Sequence, residues 1–423
     1  MIDKPKLFDS RKEFIVVSFV LIVVIAIRIG IEYYHYKAFI KKPFFYTNAE
    51  ILNVYPKSKN GKNYEILKLH SDNGLIFFTT AFGGNYPIGT TLRVQLFPNK
   101  RITFDEYLGY FYIKSRIKST QRAKKSLKTA LMRYIDAQHS DKNISSLYQA
   151  IFLATPINKE FRQKISGLGV SHLVALSGFH LGILWSFLYM IFLMLYRPFQ
   201  QKYFPYRYSL IDVGTLVMIL LGAYLYFTGM PPSLLRSYVM LLVGWSVLLM
   251  GIELVSFSFL AIVALLILAL YPPLMLSISF WLSVSGVFYI FMILEYFKHS
   301  NKWLISLLLI PVGIFVLMTP ITHMIFETTT RYQLLSPLLS ILFIPFYPLS
   351  AILHLFGMGG IADKALDWIF SLPNYESSHI LPIWLGALYI VTSIAAIRYK
   401  LAFITMALFA FGYAGYIFSI SSS

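Results

Sequence analysis

Cysteine is absent from the sequence, and charged residues are scarce. The absence of cysteine excludes disulfide bonds, thiolate metal sites and thiol catalysis. Only 13% of the 423 residues are charged, whereas 57% are hydrophobic and 17% are aromatic. A composition this apolar lies far outside the range of soluble globular domains. We therefore predict a polytopic α-helical membrane protein.

Acidic residues are fewer than basic residues. The chain has 19 Asp and Glu against 37 Lys and Arg, which gives a formal net charge of +18. Most of this excess lies outside the apolar segments, where it favours anionic partners such as membrane lipids or nucleic acid.

Several enzyme signatures are also missing. The sequence has no Walker A loop, which excludes nucleotide hydrolysis of the P-loop type. It has no H-E-x-x-H motif and no paired aspartates in its apolar segments, which counts against zinc and aspartyl intramembrane proteases. We predict no cofactor and no metal site.

Residues 1–13 are basic and precede an apolar run at residues 14–31. Positive flanks stay on the cytoplasmic side, and no small-residue cleavage site follows the run. We predict a cytoplasmic N-terminus at residues 1–13 and a retained first transmembrane helix at residues 14–31.

Residues 44–106 change to short runs rich in β-branched and aromatic residues. Turn signals such as Asn60-Gly61 and Asn73-Gly74 separate these runs. The runs read FFYTNAEILNVY, YEILKLH, LIFFTT, TLRVQLF and RITF. Five short strands predict a small all-β, OB-like domain, with a β-sandwich as the alternative. Because the first helix would run from inside to outside, this domain is predicted to be extracytoplasmic.

Residues 107–135 carry eight Lys or Arg residues and no acidic residue. Apolar residues, Ile113 and Ile117 among them, recur at steps of three and four, which predicts a basic amphipathic interfacial helix. Such a helix suits anionic lipid or a phosphate backbone, and both roles can hold at once. The candidate DNA-binding residues are Lys114, Arg116, Lys118, Arg122, Lys124, Lys125 and Lys128.

Residues 150–419 alternate apolar runs with short loops, which predicts a polytopic domain. The runs are about 172–196, 209–228, 233–251, 255–271, 276–295, 303–319, 333–356, 380–397 and 401–419. Each run has about the length that crosses the hydrocarbon core, so the chain is predicted to have about nine or ten transmembrane helices. A short surface helix is predicted at residues 361–370.

The charges of the loops agree with alternate crossing except at one place. Loops assigned to the inside are basic, whereas residues 229–232 on the opposite side carry no charge. Under strict alternation, Arg398 and Lys400 would fall outside. Either an earlier segment is re-entrant or split at Pro345 and Pro348, or the final hairpin is miscounted.

Polar side chains interrupt the apolar run SHLVALSGFHLG. On an uninterrupted helix, Ser177 lies about 140° from His172 and His180 falls between them, so one side of the helix could carry all three. Three glycines accompany these residues: Gly169, Gly178 and Gly182. The glycines permit close helix approach, or a break that exposes backbone groups to a cavity. The polar groups either serve a function or hold the bundle together through hydrogen bonds.

Other polar residues lie in the later spans. Arg236, one turn inside a span, must be paired, face water or snorkel to the interface. Ser279 and Ser283 lie in LYPPLMLSISFWLSVSG, where hydroxyls suit tight packing or a polar lining. A further group stands at i, i+4 and i+8: His323, Glu327 and Arg331. This spacing predicts a charged ladder at a pore mouth or an ordinary solvated helix.

Four blocks of the sequence resemble those of a known family. FRQKISGLGVSHLVALSGFHLGIL resembles the signature of the ComEC family of competence proteins, the inner-membrane channels that pass transforming DNA into bacteria. PPSLLRSYVM and LYPPLMLSISFWLSVSG are similar to the second and third blocks, and LLSPLLSILFIPFYPLS is more loosely similar to a fourth. An OB-like domain before the blocks is also expected from the resemblance.

The resemblance implies a multi-pass channel for single-stranded DNA in the bacterial cytoplasmic (inner) membrane. A polyanion in hydrocarbon needs a wet, cationic or dipolar passage, which intramembrane polar groups can provide. The residues expected at the passage are His172, Ser177, Gly178, His180, Gly182, Arg236, Ser279 and Ser283. The implied partners are a periplasmic DNA receptor and a cytoplasmic helicase.

The OB-like domain is expected to receive the DNA strand by charge and by stacking of bases on aromatic rings. Several of the available rings are expected to be buried in the core of the domain. The candidates are Tyr55, Tyr64, Phe77, Phe78 and Tyr86.

Two features depart from the pattern of the family. Its members often have Gly-Asp shortly before the first block, where this chain reads FLATP at residues 152–156. Many members also continue into a metallo-β-lactamase-like domain with an H-x-D-x-D-H site, a motif absent from this sequence. We expect a short form that is not itself an enzyme, with another protein degrading the non-transported strand.

Two other functions stay open. ALSG at residues 175–178 resembles the G-x-S-G turn of rhomboid-type serine proteases, although Ala175 replaces the first glycine. This resemblance favours an intramembrane serine hydrolase in which Ser177 is activated by His180 or by a histidine on a distant helix. A small-solute transporter is the other alternative, but no internal inverted repeat supports it.

Overall fold

The fold combines a small β domain with many apolar helices. The computed structural model describes residues 7–8, 10–59, 62–82, 86–87, 89–121, 127–251, 256–372 and 377–420. Within these residues, seven helices are long and apolar enough to cross a membrane, and three further apolar helices are shorter. The prediction of a polytopic helical membrane protein with a small β domain is confirmed.

The first elements form one compact unit, residues 11–130, to which residues 264–278 also belong. Its chain begins with a long apolar helix and continues into the β domain. The elements are α1 (Arg11–Ile40), β1 (Phe45–Lys59), β2 (Lys62–Ser71), β3 (Ile76–Ala81), β4 (Thr91–Phe97), α2 (Phe104–Leu108), β5 (Phe111–Tyr112), β6 (Lys114–Gln121) and α3 (Leu127–Asp136).

The remaining elements are almost all helical. They are α4 (Lys142–Leu153), α5 (Lys159–Gly167), α6 (Ser171–Val174), α7 (Gly178–Tyr203), α8 (Ser209–Phe227), α9 (Pro232–Leu249), α10 (Phe257–Leu270), α11 (Ile278–Tyr296), α12 (Lys302–Leu304), α13 (Ile310–His323), β7 (Thr328–Thr329), α14 (Ser336–Leu355), α15 (Asp363–Phe370), β8 (Ser377–Ser378), α16 (Ile383–Ala395) and α17 (Lys400–Ile420). A π-helical turn at Ile305–Leu309 joins α12 to α13, and a 3-10 turn at Arg331–Leu335 leads into α14.

The β domain is one six-stranded sheet. Its strand order is β5-β3-β2-β1-β4-β6, so the two edge strands are β5 and β6. These two strands follow each other in the chain, and only Ile113 separates them. The amide of Ile113 donates to the carbonyl of Phe78 on β3 at 2.9 Å. Alternate residues of the strands point inward and pack the core, with Leu67, Phe77 and Leu92 fully buried.

The predicted fifth strand, RITF, is not a strand. Ile102 is buried, but the chain turns at Thr103 into helix α2. The amide of Thr103 donates to the Glu106 carboxylate at 3.1 Å, so a side chain in the first helical turn satisfies a backbone group. This local hydrogen bond stabilises the helix start over an extended strand.

The predicted basic helix at residues 107–135 is wrong over most of its length. Residues 114–121 form strand β6, antiparallel to β4, and helix α3 begins only at Leu127. The spacing of Ile113 and Ile117 is four, which suits one helix face but is also even and therefore suits one strand face. Pairing with β4 decides between them. The predicted residues Arg122, Lys124 and Lys125 lie outside the described residues.

The predicted spans correspond to apolar helices, with changes at their ends. The first helix extends over Arg11–Ile40 rather than residues 14–31. Helix α14 continues through Pro345 and Pro348, so the predicted split at these prolines does not occur. Helix α15 lies within the predicted surface helix and has no buried residue.

The predicted ladder of His323, Glu327 and Arg331 does not form. Helix α13 ends at His323, Glu327 follows in a connection, and Arg331 begins a 3-10 turn. His323 is 5% exposed and lies 2.9 Å from both the carbonyl of Thr319 and the hydroxyl of Thr329. Because the three residues do not share one helix, their spacing does not place them on one face.

Candidate functional site

The end of α5 and the connection at residues 168–170 are held by Thr330, which precedes the 3-10 turn, and by Ser336, the first residue of α14. The hydroxyl of Thr330 donates to the carbonyl of Gly167, and the hydroxyl of Ser336 donates to the carbonyl of Gly169 at 3.0 Å. These bonds satisfy carbonyls that no helix satisfies. The first and fourth sequence blocks therefore pack against each other.

Gly169 is required by this packing. Its φ is +68°, a conformation that favours glycine, and a Cβ atom there would lie 3.2 Å from Gln333 Cγ and 3.3 Å from Ser336 Cβ. A side chain at this position would be strained by the backbone and crowded by α14. Close approach, which the sequence predicted for the glycines, is thus observed at Gly169.

The backbone breaks between His172 and His180, so the uninterrupted helix considered for these residues does not form, and the break that the glycines permit is observed. Helix α6 ends at Val174, and α7 begins at Gly178. Ser177, which precedes α7, is extended, with φ −141° and ψ 179°. The break gives Ser177 a direction that a continuous helix does not allow.

Ser177 and His180 form a hydrogen-bonded pair. Ser177 Oγ lies 3.2 Å from His180 Nδ1, and His180 Nε2 lies 3.0 Å from the carbonyl oxygen of Leu173. A carbonyl only accepts, so Nε2 carries the proton and Nδ1 accepts from the serine hydroxyl. The imidazole is fully buried between the rings of Phe343 and Tyr347. The Leu173 carbonyl and the two aromatic rings therefore fix the orientation of the imidazole.

His172 has a different partner. Its Nε2 lies 3.1 Å from the hydroxyl oxygen of Ser340 on α14. The Ser340 hydroxyl itself donates to the carbonyl of Ser336 at 2.8 Å, so the imidazole of His172 is the donor. The three predicted side chains thus form two separate hydrogen-bonded sets, one at α14 and one at the start of α7.

The predicted glycines differ in their surroundings. A Cβ atom at Gly178 would meet Ser237 Oγ at 3.3 Å, so α7 begins in contact with α9. A Cβ atom at Gly182 would meet nothing within 4 Å. Close helix approach is therefore found at Gly178 and not at Gly182.

Arg236 is a buried cation inside the helical region. Its side chain lies on the first turns of α9 and is 6% exposed, which is inconsistent with snorkelling. Nη1 donates to Ser279 Oγ on α11 at 3.1 Å, and the guanidinium carbon lies 6.0 Å from the centre of the Phe280 ring. Nε has no hydrogen-bond partner, and the described residues give Arg236 no carboxylate partner.

The two predicted serines of α11, Ser279 and Ser283, have different surroundings. Ser279 contacts the guanidinium of Arg236, so the second and third sequence blocks meet at this pair. Ser283 lies about one turn further along α11 and is half-buried. A buried guanidinium with a free Nε–H is a potential anion-binding group, because its donors fit phosphate or carboxylate oxygens.

Strand β6 presents basic side chains to solvent. Lys114 and Arg116 are exposed at alternate positions of the strand, which places them on one face, and the exposed Lys118 lies at a register shift between Ile117 and Ser119. Lys128 on α3 is half-buried, and burial lowers the pKa of its ammonium, an effect that the Glu50 carboxylate partly offsets. Lys128 is therefore less available to a phosphate than the three residues of β6.

The aromatic residues of the β domain divide between core and surface. Phe77 is fully buried and Tyr86 packs partly against the core, whereas Tyr55 and Phe78 lie on the outer face with ring centres 6.3 Å apart. Tyr64 contacts Phe82, with ring centres 6.1 Å apart. Core packing therefore removes two of the five predicted stacking residues.

The sequence prediction missed part of this outer face. Tyr110 lies next to Phe78 and is 63% exposed, and Tyr112 is 53% exposed. The ammonium of Lys68 lies 5.9 Å from the ring centre of Phe78 and 5.7 Å from that of Tyr110. Tyr55, Phe78, Tyr110, Tyr112 and Lys68 form what we call the aromatic face. Alternation along β3 and β5, with Phe77 and Phe111 inside, is the sequence signal for it.

The fold and these sites define a multi-pass membrane protein with a polar, cation-containing interior and a basic, aromatic β domain. The family model described as "Competence protein" matches residues 154–372. The match covers about half of the chain and includes Ser177, His180 and Arg236, and the chain belongs to this family. No curated protein and no solved structure matches the chain.

Proposed function

We propose that this protein is the passage for single-stranded transforming DNA across the bacterial cytoplasmic membrane. The observation that carries the proposal is Arg236, a buried guanidinium between α9 and α11 with an unpartnered Nε–H. Family membership adds a role in competence. Taking a phosphate through a bilayer requires fixed positive groups that replace water, and Arg236 can supply one.

The polar groups beside α14 complement this cation. His172, Ser177 and His180 are neutral donors and acceptors that are held by hydrogen bonds and so keep fixed orientations. Neutral dipoles can line a passage without trapping a polyanion, because each interaction is weak enough to exchange as the strand moves. In this proposal the chain itself is not an enzyme, and another protein degrades the non-transported strand.

The β domain is proposed to be an OB-like module that receives the strand. The aromatic face offers rings for base stacking, and the basic side chains of β6 offer contacts to phosphates. The proposed partners are a DNA receptor outside the membrane and a helicase inside, which would supply the force. Contacts of this kind are independent of sequence, as uptake of arbitrary DNA requires.

A deletion strain tests the proposal directly. We expect loss of transformation by naked DNA, with unchanged growth on defined media and unchanged cleavage of membrane proteins. A growth defect on particular solutes would favour a transporter, and altered cleavage would favour a hydrolase. Either result with normal transformation would overturn the proposal.

The proposal also places the β domain on the outer side of the membrane. Cysteines introduced at Ser10 and Ser58, both exposed, should react oppositely with an impermeant thiol reagent on intact cells. The cysteine-free chain makes this labelling specific. Equal labelling of the two positions would contradict the topology.

An intramembrane serine hydrolase is the second candidate, and one observation favours it. Ser177 donates to His180, and His180 is oriented by the carbonyl of Leu173, which is the order of nucleophile, base and orienting group. A fluorophosphonate probe tests this candidate on the purified full-length chain. Labelling that disappears in Ser177→Ala would support a nucleophile, and absence of labelling would leave Ser177 as a lining residue.

A further inference from the structure

A second polar cluster, in which two buried histidines meet a partly exposed aspartate, lies away from the sites described above. His139 follows α3, His354 lies in the last turn of α14, and Asp363 begins α15. His139 Nδ1 lies 2.9 Å and 3.0 Å from the two carboxylate oxygens of Asp363, and its Nε2 lies 2.9 Å from His354 Nε2. The side chain of His139 is completely buried, and His354 is 5% exposed.

The hydrogen bonds of this cluster determine where its protons lie. The Asp363 carboxylate accepts, so His139 Nδ1 carries a proton. His354 Nδ1 lies 2.7 Å from the carbonyl oxygen of Ser350, which can only accept, so this nitrogen also carries a proton. In two neutral imidazoles both Nε2 atoms would then be bare acceptors facing each other at 2.9 Å. One more proton is needed to make this contact a hydrogen bond.

We propose that His139 and His354 share one proton between their Nε2 atoms, with Asp363 as the counter-charge. The Asp363 carboxylate balances the added positive charge, so the cluster as a whole is neutral. This neutrality lowers the desolvation free energy of burying the histidine pair. Moving the proton onto Asp363 leaves the total unchanged, because the carboxyl group then donates to His139 and His139 donates to His354. In both forms the cluster holds one proton more than a carboxylate and two neutral imidazoles.

The surroundings of the pair are consistent with a retained proton. From α4, the Tyr148 ring stacks on His139 with ring centres 4.7 Å apart, and burial raises the pKa of the Tyr148 hydroxyl, so this group stays neutral. Phe152 covers His354 from the same helix. Asp136 on α3, the other nearby acid, accepts from Ser145 and Gln149. No described group competes with Asp363 for the positive charge.

The backbone around the pair is also fixed. The Gln138 amide donates to the carbonyl of His354 at 3.2 Å, and the Gln138 oxygen accepts from the amide of Gly359 at 2.8 Å. A Cβ atom at Gly359 would lie 2.6 Å from His354 Nε2, so the chain leaves room only for glycine beside the pair. The imidazoles cannot separate without breaking these bonds.

The shared proton makes this junction sensitive to pH. The proton draws together segments that are 215 and 224 residues apart in the sequence. Its loss leaves two facing lone pairs, which repel. The stabilisation is therefore present while the shared proton is bound and is lost when rising pH removes it. We call this junction the histidine latch.

Nitrogen-15 NMR of histidine-labelled, full-length protein in lipid nanodiscs tests the latch. At a pH of about 7, we expect His354 Nδ1 to be protonated in either form and a scalar coupling to join the two Nε2 atoms through the proton between them. His139→Gln and His354→Gln should each remove this coupling, whereas His70→Gln, at an exposed position of β2, should leave it intact. Two neutral imidazoles without a coupling would overturn the proposal, as would one stoichiometric zinc ion bound to the pair.

Thermal unfolding against pH gives an independent readout. The wild type and His70→Gln should lose stability as rising pH removes the shared proton, and Asp363→Asn should shift this loss to lower pH because the counter-charge is gone. His139→Gln should lack the step. If the Gln variants do not fold, the NMR of the wild type and the pH profile of Asp363→Asn still test whether the two histidines share a proton. An identical pH profile for Asp363→Asn and wild type contradicts the shared proton.

Discussion

The interior of the helical region and the surface of the β domain hold positive charge in opposite ways. Inside, the guanidinium of Arg236 is buried and donates to Ser279. On strand β6, Lys114, Arg116 and Lys118 are exposed at alternate positions. A buried charge costs desolvation free energy and acts at one position, whereas exposed charges are screened by salt and exchange easily. Under the proposed function, the interior would provide selective passage and the surface would provide capture.

The largest effect is expected at Arg236. Arg236→Ala should abolish DNA entry while DNA still accumulates outside the membrane, because loss of the fixed cation blocks passage and leaves capture intact. Uptake of labelled DNA into a nuclease-resistant state measures entry, and total bound DNA measures capture. Arg197→Ala, an exposed arginine at the end of α7, is the matched control and should behave as wild type.

A lysine at the same position sharpens the comparison. Arg236→Lys should retain partial entry if charge alone suffices, and very little if the planar guanidinium must bind Ser279 and a phosphate together. Normal entry in Arg236→Ala, at a normal amount of protein in the membrane, would reduce this residue to a packing role.

The next largest effect is expected at His180. His180→Ala should lower stability by about 2–5 kcal/mol, as buried large-to-small changes do, and should strongly reduce transformation. His180→Gln should keep part of the activity if only hydrogen bonding is needed. Transformation frequency, normalised to the protein in the membrane, separates folding from transport.

Ser177 distinguishes lining from catalysis at the same site. Ser177→Ala should be mild, because a lining hydroxyl is not consumed, and Ser177→Leu should be severe, because it fills the space beside His180. Complete loss in Ser177→Ala at full protein level, with serine-probe labelling of the wild type, would replace the passage with a hydrolase.

A moderate effect is expected at Gly169. Gly169→Ala should destabilise the protein by about 1–3 kcal/mol, since its positive φ and its contacts with Gln333 and Ser336 leave no room for a side chain. Gly182→Ala, where a Cβ meets nothing within 4 Å, is the control. Thermal unfolding of the purified protein measures the loss of stability in both variants. Equal losses would contradict a specific requirement for glycine where this segment packs against α14.

The smallest effect is expected at the surface. Replacing Lys114, Arg116 and Lys118 together by Gln should weaken binding of single-stranded DNA and reduce the slope of log affinity against log salt by about 2, which corresponds to three phosphate contacts. Fluorescence anisotropy across a salt series measures the slope. Lys57→Gln, an exposed lysine of β1, is the single-charge control. An unchanged slope in the triple variant would move capture away from β6.

Helix positions were predictable because a membrane imposes a length on apolar runs, and that length is visible without a partner. The strand at residues 114–121 was not predictable, because Ile113 and Ile117 suit both periods and only the hydrogen bonds of β4 select the strand. For the same reason the sequence predicted Lys114, Arg116 and Lys118 on a helix, whereas they lie on strand β6.

The polar sites show the same difference between what the sequence reveals and what the tertiary structure decides. The sequence by itself determined which polar residues interrupt the apolar segments, because polar side chains stand out against an apolar background. Only the tertiary structure decided their partners: the break before Gly178 turns Ser177 toward His180, and α11 brings Ser279 to Arg236. His139 and His354 lie 215 residues apart, and no local pattern relates them. Hydropathy is a property of each residue, whereas a hydrogen bond between distant side chains exists only once the chain has folded.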